Sequence, residues 1–299
     1  MSFKPLIIGS RGSDLALWQA NFVKSQLEHL GLSVSIKIIK TQGDKIQHLS
    51  FDKMEGKGFF TKEIEDALLQ KEIDLAVHSH KDLETNHPEG LVIAAVSERE
   101  NPSELFLIRK SAVDKDAVLH LKNSAIVGTS SARRKSELLV LRPDILLKDI
   151  RGNVPTRINK LRSGEYDAIM LAYAGVTRLQ LNTDDLESIV LDPEEFIPAP
   201  AQGVMAIQIR ETDSELFDLL QKINQKDVQE LVGVERTVLR LMDGGCQMPL
   251  GVYCIKDTTG FHVFASIADA WNKTPKKVKV TSLNLEGLAE KVVTELKRK

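Results

Sequence analysis

The chain has 299 residues, of which 42% are hydrophobic, so it can bury a substantial core and form two or three domains. Its 40 lysines and arginines are offset by 42 aspartates and glutamates, which gives a net charge of −2, and aromatic residues make up only 5% of the chain. Duplex-binding proteins usually carry a basic excess and single-strand binders present aromatic platforms, so we expect no nucleic-acid partner.

Apolar runs and cysteines indicate the compartment. The sequence contains no apolar run near the ~18 residues that cross a bilayer, and its start lacks the pattern of a secretory leader. Its two cysteines, Cys246 and Cys254, form neither a metal-binding pair nor a disulfide framework. We therefore expect a cytoplasmic protein with free thiols and no membrane partner.

The first predicted elements are a strand at residues 6–8, a polar loop, and a helix over residues 14–30. The loop places Arg11 and Ser13 at the start of the helix. Unpaired backbone N–H groups and the positive end of the helix dipole favour an anion there.

The same pattern recurs in the middle of the chain. A strand at residues 125–127 leads through a polar loop to a helix, with Ser131, Arg133 and Arg134 at the junction. A third loop, residues 151–157, again carries two arginines before a helical segment. One such loop could be an ordinary serine cap beside solvated arginines, but three of them favour a site for a small, multiply charged anion.

Two further segments indicate an internal repeat. A helical run leads into a short apolar strand at residues 73–79 in the first half and at residues 166–172 in the second. Helices that alternate with buried strands predict mainly parallel sheets, whose ligands bind beyond the carboxyl ends of the strands. The predicted fold class is α/β: two similar lobes of mainly parallel sheet with flanking helices, bilobed like periplasmic binding proteins, plus a small α+β C-terminal domain.

Polar, proline-containing segments at residues 98–103 and 197–203 are candidate hinges between the lobes. We expect the strand-like run at residues 204–209 to return to the first lobe. The predicted domains are residues 1–101 with 202–221 as the first α/β lobe, residues 102–201 as the second α/β lobe, and residues 222–299 as an α+β domain.

Cys246 stands in an unusual setting, because Gly244 and Gly245 precede it and Pro249 follows. A thiol on a flexible loop can be a nucleophile or an attachment point. A small apolar side chain that fills a turn would give the same sequence pattern.

Asp82 and Lys81 follow the strand that ends near Ser79, which places one carboxylate at the mouth of the first lobe. A solvated loop charge would look the same in the sequence. His78, His80 and His87 form only a weak metal pattern, because no acidic or thiol partner stands at a fixed spacing from the His-x-His pair, so we expect no metal site.

Seven groups of residues, in order along nearly the whole chain, carry a resemblance to one family. They are Gly9-Ser10-Arg11 with residues 15–20, residues 56–58 with 60–63, residues 77–79 with Lys81-Asp82, residues 127–131 with Arg133-Arg134, Arg151-Gly152-Asn153 with Thr156-Arg157, Gln202-Gly203, and residues 244–247. The chain resembles the porphobilinogen deaminases, also called hydroxymethylbilane synthases. Matches so ordered and dispersed are highly specific.

The resemblance implies a transferase of tetrapyrrole and haem biosynthesis. Such an enzyme joins four molecules of its small-molecule substrate porphobilinogen head to tail into the linear tetrapyrrole hydroxymethylbilane, with release of four ammonia molecules. The resemblance also implies a dipyrromethane cofactor, assembled from the substrate and held by a thioether to Cys246. Asp82 matches the catalytic carboxylate, and the family suggests a monomer.

Each pyrrole carries an acetate and a propionate, which explains why a nearly neutral chain places arginines at several strand ends. The cofactor-binding residues that the resemblance implies are Lys81, Ser131, Arg133, Arg134 and Gly152, beside Cys246. The substrate-binding residues that it implies are Arg11, Ser13, Gln19, Lys57, Phe60, Arg151, Arg157 and Arg178.

The chain departs from the family pattern at three places, none of which removes a proposed catalytic group. His80 replaces a usual methionine, Leu83-Glu84 replaces a usual Val-Pro, and Pro200-Ala201 precedes Gln202-Gly203 where a glycine is commoner.

Two other classes of protein stay open from the residues alone. A cytosolic solute-binding or ligand-sensing protein would share the two lobes but would not need the thiol loop. A metal-dependent hydrolase would use His78 and His80, and chelation would then abolish its activity.

Overall fold

The computed structural model describes residues 4–45, 61–85, 88–244 and 248–298. Its contacts divide the chain into two units. The first comprises Met1–Leu49, Glu55–Glu100 and Gly203–Glu230, and the second comprises Ser50–Met54, Asn101–Gln202 and Leu231–Lys299. The boundaries of the three predicted domains stay a prediction.

Strands and helices alternate through most of the described chain. The strands are β1 (Leu6–Ser10), β2 (Val34–Ile38), β3 (Leu75–Ser79), β4 (Leu91–Val96), β5 (Glu104–Arg109), β6 (Ile126–Gly128), β7 (Leu146–Lys148), β8 (Ala168–Ala172), β9 (Leu186–Val190), β10 (Met205–Arg210), β11 (Leu250–Asp257), β12 (Gly260–Ile267) and β13 (Lys276–Ser282). The helices are α1 (Asp14–His29), α2 (Gln42–Lys45), α3 (Lys62–Leu69), α4 (Ala132–Leu141), α5 (Val154–Arg162), α6 (Tyr173–Arg178), α7 (Ser214–Leu220), α8 (Lys226–Leu241) and α9 (Leu288–Lys297). No helix within the described ranges is both long and apolar enough to cross a membrane.

Each α/β lobe is built on a five-stranded sheet in which four strands run one way and one runs the other. The first sheet has the order β2-β1-β3-β10-β4, and the second has the order β7-β6-β8-β5-β9. β1 pairs in parallel with β2 and β3, and β6 does so with β7 and β8. β10 and β5 are antiparallel to both of their neighbours. The predicted class, two similar lobes of mainly parallel sheet, is confirmed.

The reversed strand has the same origin in both sheets. β5 is the first strand after the chain passes from the first unit to the second, and β10 is the first strand after it returns. β5 is inserted between β8 and β9, and β10 is inserted between β3 and β4. In each case these are the last two strands of the lobe that the inserted strand joins. β10 is therefore the returning strand that the sequence predicts.

The helices that follow β1, β6 and β7 begin at polar caps. Ser13 caps α1 and Ser131 caps α4, and each hydroxyl accepts a backbone N–H three residues on at 3.4 Å. Asn153 caps α5 in the same way at 2.9 Å. Each cap fixes a helix N-terminus just beyond the carboxyl end of a strand, where an anion is favoured.

The two lobes also repeat one contact residue by residue. Asp74, just before β3, accepts a backbone N–H of β1 at 2.8 Å, and Asp167, just before β8, accepts a backbone N–H of β6 at 2.9 Å. Each carboxylate also faces the arginine at the end of the reversed strand, Arg210 at 3.7 Å and Arg109 at 2.8 Å. These equivalent contacts confirm the internal repeat.

The C-terminal part of the second unit is a three-stranded antiparallel sheet, β11-β12-β13, that shares an apolar core with α8 and α9. Glu235 on α8 is fully buried and accepts the N–H groups of Ala201 at 2.6 Å and Cys254 at 2.8 Å. Cys254 is a buried free thiol, which agrees with the predicted state of this cysteine. The small α+β C-terminal element of the predicted fold class is confirmed.

Candidate functional site

A pocket lies in the first unit where the loops after β1 and β3 meet the start of α1. Apolar residues of α1, α3 and β3 form part of its wall. Its polar lining consists of Arg11, Ser13, Gln19, Thr61, His78, Ser79 and Asp82. Four of these, Arg11, Ser13, Gln19 and Asp82, are residues that the sequence resemblance implies, and the fold brings them together.

A short 3-10 turn, His80–Asp82, directly follows β3 and presents Asp82 to this pocket. Asp82 is exposed, whereas Leu83 is fully buried and donates its N–H to the His80 carbonyl at 3.3 Å. His80 is also buried and donates its backbone N–H to the Val204 carbonyl at 2.9 Å. The turn is anchored on both sides of Asp82, so the departures at His80 and Leu83 are compatible with a fixed carboxylate.

Gln19 and Ser79 tie the helix of the pocket to its strand. Gln19 is buried on α1, and its Nε2 donates to the hydroxyl of Ser79 at 2.9 Å. Ser79 is the last residue of β3. The bond therefore links the element that begins after Arg11 to the strand that leads to Asp82.

Three polar residues of this pocket, Thr61, His78 and Ser79, lie within the matched motifs but are not among the predicted site residues. His78 suggests only a weak metal pattern, and within the described ranges no group of three or more side chains could hold a metal ion. The position of His78 and Ser79 at the carboxyl end of a predicted parallel strand is the signal that could have placed them. Thr61 precedes α3 and carries no comparable signal.

In the second unit, two of the predicted anion-binding loops are held side by side. The Ser130 hydroxyl donates to the Ile150 carbonyl at 2.9 Å and accepts the Ile150 N–H at 3.0 Å. These bonds join the loop after β6, which carries Ser131, to the loop after β7, which carries Arg151 and Gly152. Because β6 and β7 are parallel neighbours, both loops lie at the same edge of the sheet.

Gly152 and Arg157 shape the second of these loops. Gly152 has a φ of +113°, and an added Cβ would lie 2.6 Å from Cγ2 of Thr156, so both the backbone and the space require glycine. Arg157 on α5 donates its Nε to the Gly152 carbonyl at 2.8 Å. Arg178, at the end of the helix after β8, is buried.

Arg133 and Arg134 are buried side chains that share one carboxylate. Arg133 pairs with Glu104 and donates Nη1 to the Ile197 carbonyl at 2.8 Å. Arg134 donates Nη2 to Glu104 at 2.7 Å and Nη1 to the Met170 carbonyl at 3.1 Å. Burial lowers the pKa of Arg133, and the charge of Glu104 opposes that effect. The charge of the buried Glu137 also acts on Arg133, and Lys277 pairs with Glu137 at 2.9 Å. Three cations therefore accompany two carboxylates here, which leaves one positive charge in excess.

The remaining predicted site residues fall into two groups. Lys81 is half-buried on the turn beside Asp82. Lys57, Phe60 and Cys246 lie outside the described residues. The flanks of Cys246 are described: Gly244 is buried, and an added Cβ there would lie 2.6 Å from Leu239 and 2.9 Å from the sulfur of Met248.

Comparison with known proteins gives one consistent result. A family model described as "Porphobilinogen deaminase, dipyromethane cofactor binding domain" matches residues 6–218. The chain belongs to the porphobilinogen deaminase family. A porphobilinogen deaminase of Nitratiruptor sp. is 46% identical over 251 residues, which cover 83% of this chain and 77% of the relative. That of Chloroherpeton thalassium is 42% identical over 96% of this chain and 90% of the relative. That of Chlorobium phaeovibrioides is also 42% identical, over 98% of this chain and 93% of the relative.

A solved structure of a putative methionine-binding lipoprotein from Bacillus subtilis is a more distant match. It aligns with a TM-score of 0.45 at 14% identity, over 76% of this chain and 93% of that chain.

The second unit of this deaminase chain fits the dipyrromethane that the family model names. The acetate and propionate groups of a dipyrromethane are carboxylates, which guanidinium groups and capped helix N-termini bind well. Ser131 caps such a terminus, and the adjacent arginine cluster carries excess positive charge. The Nε of Arg134 is buried and has no hydrogen-bond partner within the described part of the chain. The donors therefore match the cofactor in charge and in chemistry.

Proposed function

We propose that this chain is a hydroxymethylbilane synthase, a transferase of tetrapyrrole biosynthesis. Four porphobilinogen molecules and one water give one hydroxymethylbilane and four ammonia molecules. Each condensation breaks the bond between a methylene carbon and its amino nitrogen. It then joins that methylene carbon to the free α-carbon of another pyrrole ring, which loses a proton. Water supplies the terminal hydroxyl at the last step.

The observation that carries this proposal is the pocket that holds Asp82 together with Arg11 and Ser13. Departure of ammonia from porphobilinogen leaves a cationic azafulvene, and a carboxylate stabilises such a cation. Asp82 is the carboxylate of the pocket, and it also takes up the proton that the attacking α-carbon loses. Arg11 and the capped start of α1 bind the substrate's acetate and propionate groups.

The other basic residues share this carboxylate-binding role. Lys57 is a further cation of the substrate site, and Phe60 is an aromatic surface for a pyrrole ring. The second unit contributes substrate-binding arginines at Arg151, Arg157 and Arg178, and Gln19 holds the first-unit pocket in shape through Ser79.

The cofactor is placed on Cys246, with Lys81, Ser131, Arg133, Arg134 and Gly152 as the residues that hold it. When bound, the dipyrromethane supplies the anchor to which the pyrrole chain is attached. The thiol of Cys246 is the attachment atom in this proposal, and the paired loops of the second unit supply N–H, hydroxyl and guanidinium donors for the carboxylates. We place the enzyme in the cytoplasm as a monomer, from the composition of the chain and from its family.

The first test is the intact mass of the purified, denatured chain. A covalent dipyrromethane adds the mass of two porphobilinogen molecules less two ammonia molecules. We expect this excess in the wild type and in Cys254→Ala, a change at the buried cysteine. We expect Cys246→Ser to lack both the excess and turnover. A Cys246→Ser protein with full activity would refute the attachment site.

Turnover by the holoenzyme tests the role of Asp82. Asp82→Ala should retain at least part of the mass excess, but its formation of hydroxymethylbilane should fall by about 10²-fold to 10⁴-fold, the usual contribution of a proton-transfer group. Ammonia and hydroxymethylbilane are measured together, and the wild type should release four of the former for each of the latter. Normal turnover by Asp82→Ala would remove its catalytic role.

A further inference from the structure

One cross-strand row of the C-terminal sheet lies close to the loop of Cys246. Gly251 on β11 pairs with Ser266 on β12, and Ser266 pairs with Lys277 on β13. β11 begins at Leu250, four residues after Cys246. Gly251 is the second residue of β11, so the row stands at the end of the sheet that adjoins this loop.

The first strand of this row is bonded to the segment 195–198 of the second lobe. A Cβ added to Gly251 would lie 2.6 Å from the Ile197 carbonyl oxygen, so the two backbones approach each other closely. The next residue, Val252, donates its N–H to the Pro198 carbonyl at 3.0 Å. The start of β11 is therefore docked on this segment.

Lys277 joins the other end of the row to helix α4. Its ammonium lies 2.9 Å from Oε2 of Glu137, which is buried on α4, and it also donates to the Glu195 carbonyl. Oε1 of Glu137 is buried and has no hydrogen-bond partner within the described part of the chain. Lys277 thus supplies a direct counter-charge for a buried carboxylate.

The same helix carries arginines of the cofactor site. Arg133 lies one turn before Glu137 on α4, and its guanidinium donates to the Ile197 carbonyl at 2.8 Å. Lys277 donates to the carbonyl two residues earlier in the same segment. The C-terminal sheet and α4 therefore hold one segment of backbone from two sides, and the Lys277–Glu137 pair links them directly.

We propose that Lys277 and Glu137 are positioning residues, which fix the C-terminal sheet on α4 so that a cofactor attached beside β11 meets the arginines of α4 in one position. This inference rests on the proposed function, because it takes Cys246 as the attachment site. A buried charge pair suits this role, since its two ends lie on different elements and each end is costly to bury alone.

Hydrogen exchange of the holoenzyme, followed by NMR, tests the contact without an assay of activity. Lys277→Met/Glu137→Gln removes both charges and leaves no uncompensated carboxylate buried. We expect the Val252 amide, which bonds to Pro198, to exchange about 10-fold faster, because the sheet separates more often from the segment. The Val263 amide, in the central strand of the sheet, should stay within about twofold. Glu137→Gln alone should act similarly, since Lys277 is 39% exposed and solvent can hydrate its charge.

Lys279→Met is the matched control. Lys279 lies on the same face of β13 as Lys277, and its ammonium is 4.7 Å from the centre of the Phe264 ring within the same sheet. This variant should exchange like the wild type, and so should Lys277→Arg, which keeps the cation. An unchanged Val252 amide in the double variant, or equal acceleration of Val252 and Val263, would overturn the proposal.

Turnover supplies the second arm of the experiment, with kcat expressed per chain that carries the excess mass. A misplaced cofactor loses reacting geometry while Arg11 still binds substrate, so the double variant should lower kcat about 10-fold with KM within about twofold. Lys277→Arg should keep kcat within about twofold of the wild type. Full kcat in a double variant whose Val252 amide exchanges faster would overturn the positioning role.

The same measurements separate this inference from the proposed function. A wild type that forms no hydroxymethylbilane and carries no excess mass would overturn the proposed function. The exchange rates of Val252 and Val263 would still decide whether the Lys277–Glu137 pair fixes the sheet on α4.

Discussion

Glu104 shows how much of the second unit depends on one residue. Its side chain is fully buried in β5, and its two oxygens accept from Arg133 and Arg134. Glu104→Gln removes the charge and leaves two guanidinium groups buried beside a neutral amide. We expect the free energy of unfolding to fall by about 3–5 kcal/mol, the usual cost of breaking a buried ion pair from one side. Urea unfolding followed by circular dichroism measures the change.

Glu187→Gln is the control for this prediction. Glu187 lies in the same lobe, and its carboxylate pairs with Lys115 and His120 near the surface. The Lys115 ammonium and the His120 ring lower the pKa of Glu187, but solvent screens such a pair, so its loss should matter far less than that of Glu104. Equal unfolding curves for the two variants would mean that the arginine cluster does not support the fold.

At the scale of residues, the same cluster shows which contacts the sequence predicts and which it does not. Adjacent arginines at a helix start predict an anion site, and the cap at Ser131 is where the sequence places it. The sequence does not indicate that Glu104, about 30 positions earlier, neutralises part of their charge. That contact depends on β5 lying antiparallel to β8, and a motif contains no information about strand order.

At the scale of elements, Asp167 connects β6 to the reversed strand β5 of its sheet. Burial raises the pKa of Asp167, but the Ile126 N–H and the Arg109 guanidinium outweigh it and hold that pKa below its usual range. A carboxyl with a lowered pKa in the folded state contributes stability above its unfolded pKa of about 3.9, and this contribution is lost as the pH falls through the folded pKa. Asp167→Asn should therefore lower the free energy of unfolding by about 1 kcal/mol at neutral pH, and by progressively less below about pH 4.

Thermal or urea unfolding over this pH range tests whether the stabilisation by Asp167 falls or rises on acidification. The difference in the free energy of unfolding between the wild type and Asp167→Asn should narrow on acidification. Asp116→Asn, the same change at an exposed residue, should be as stable as the wild type at every pH. A difference that widens in acid would show that the carboxylate is destabilised in the folded state.

The elements themselves were largely predictable because their signals are local. The strand and helix of each repeat and the returning strand β10 lie close to their predicted positions, and Ser13 and Ser131 stand at helix starts as predicted. The pairing of strands within each lobe was not predictable in detail. Insertion of β10 between β3 and β4 brings Gln208 toward His78 across 130 positions of sequence, and only the folded sheet shows that contact.

At the scale of the whole molecule, the passage of the chain between units depends on one close approach. Ser97 donates its N–H to the Met205 carbonyl at 3.0 Å, and Glu100 donates its N–H to the Gly203 carbonyl at 3.0 Å, so the outgoing and returning segments run side by side. Gly203 has a φ of +88°, and an added Cβ would lie 2.2 Å from the Glu100 carbonyl oxygen. The added Cβ would therefore meet backbone atoms of the outgoing segment, and no change of side-chain rotamer could relieve that clash.

Gly203→Ala should therefore lower the free energy of unfolding by about 3 kcal/mol or more, because it combines left-handed strain with a backbone clash. Gly31→Ala separates the two causes. Gly31 has a φ of +83°, but no described atom lies within 4 Å of its added Cβ, so we expect only the conformational cost of about 1–2 kcal/mol. Equal losses in urea unfolding would attribute the whole effect to φ, whereas a much larger loss for Gly203→Ala would show that the fold depends on the close approach of the two crossings.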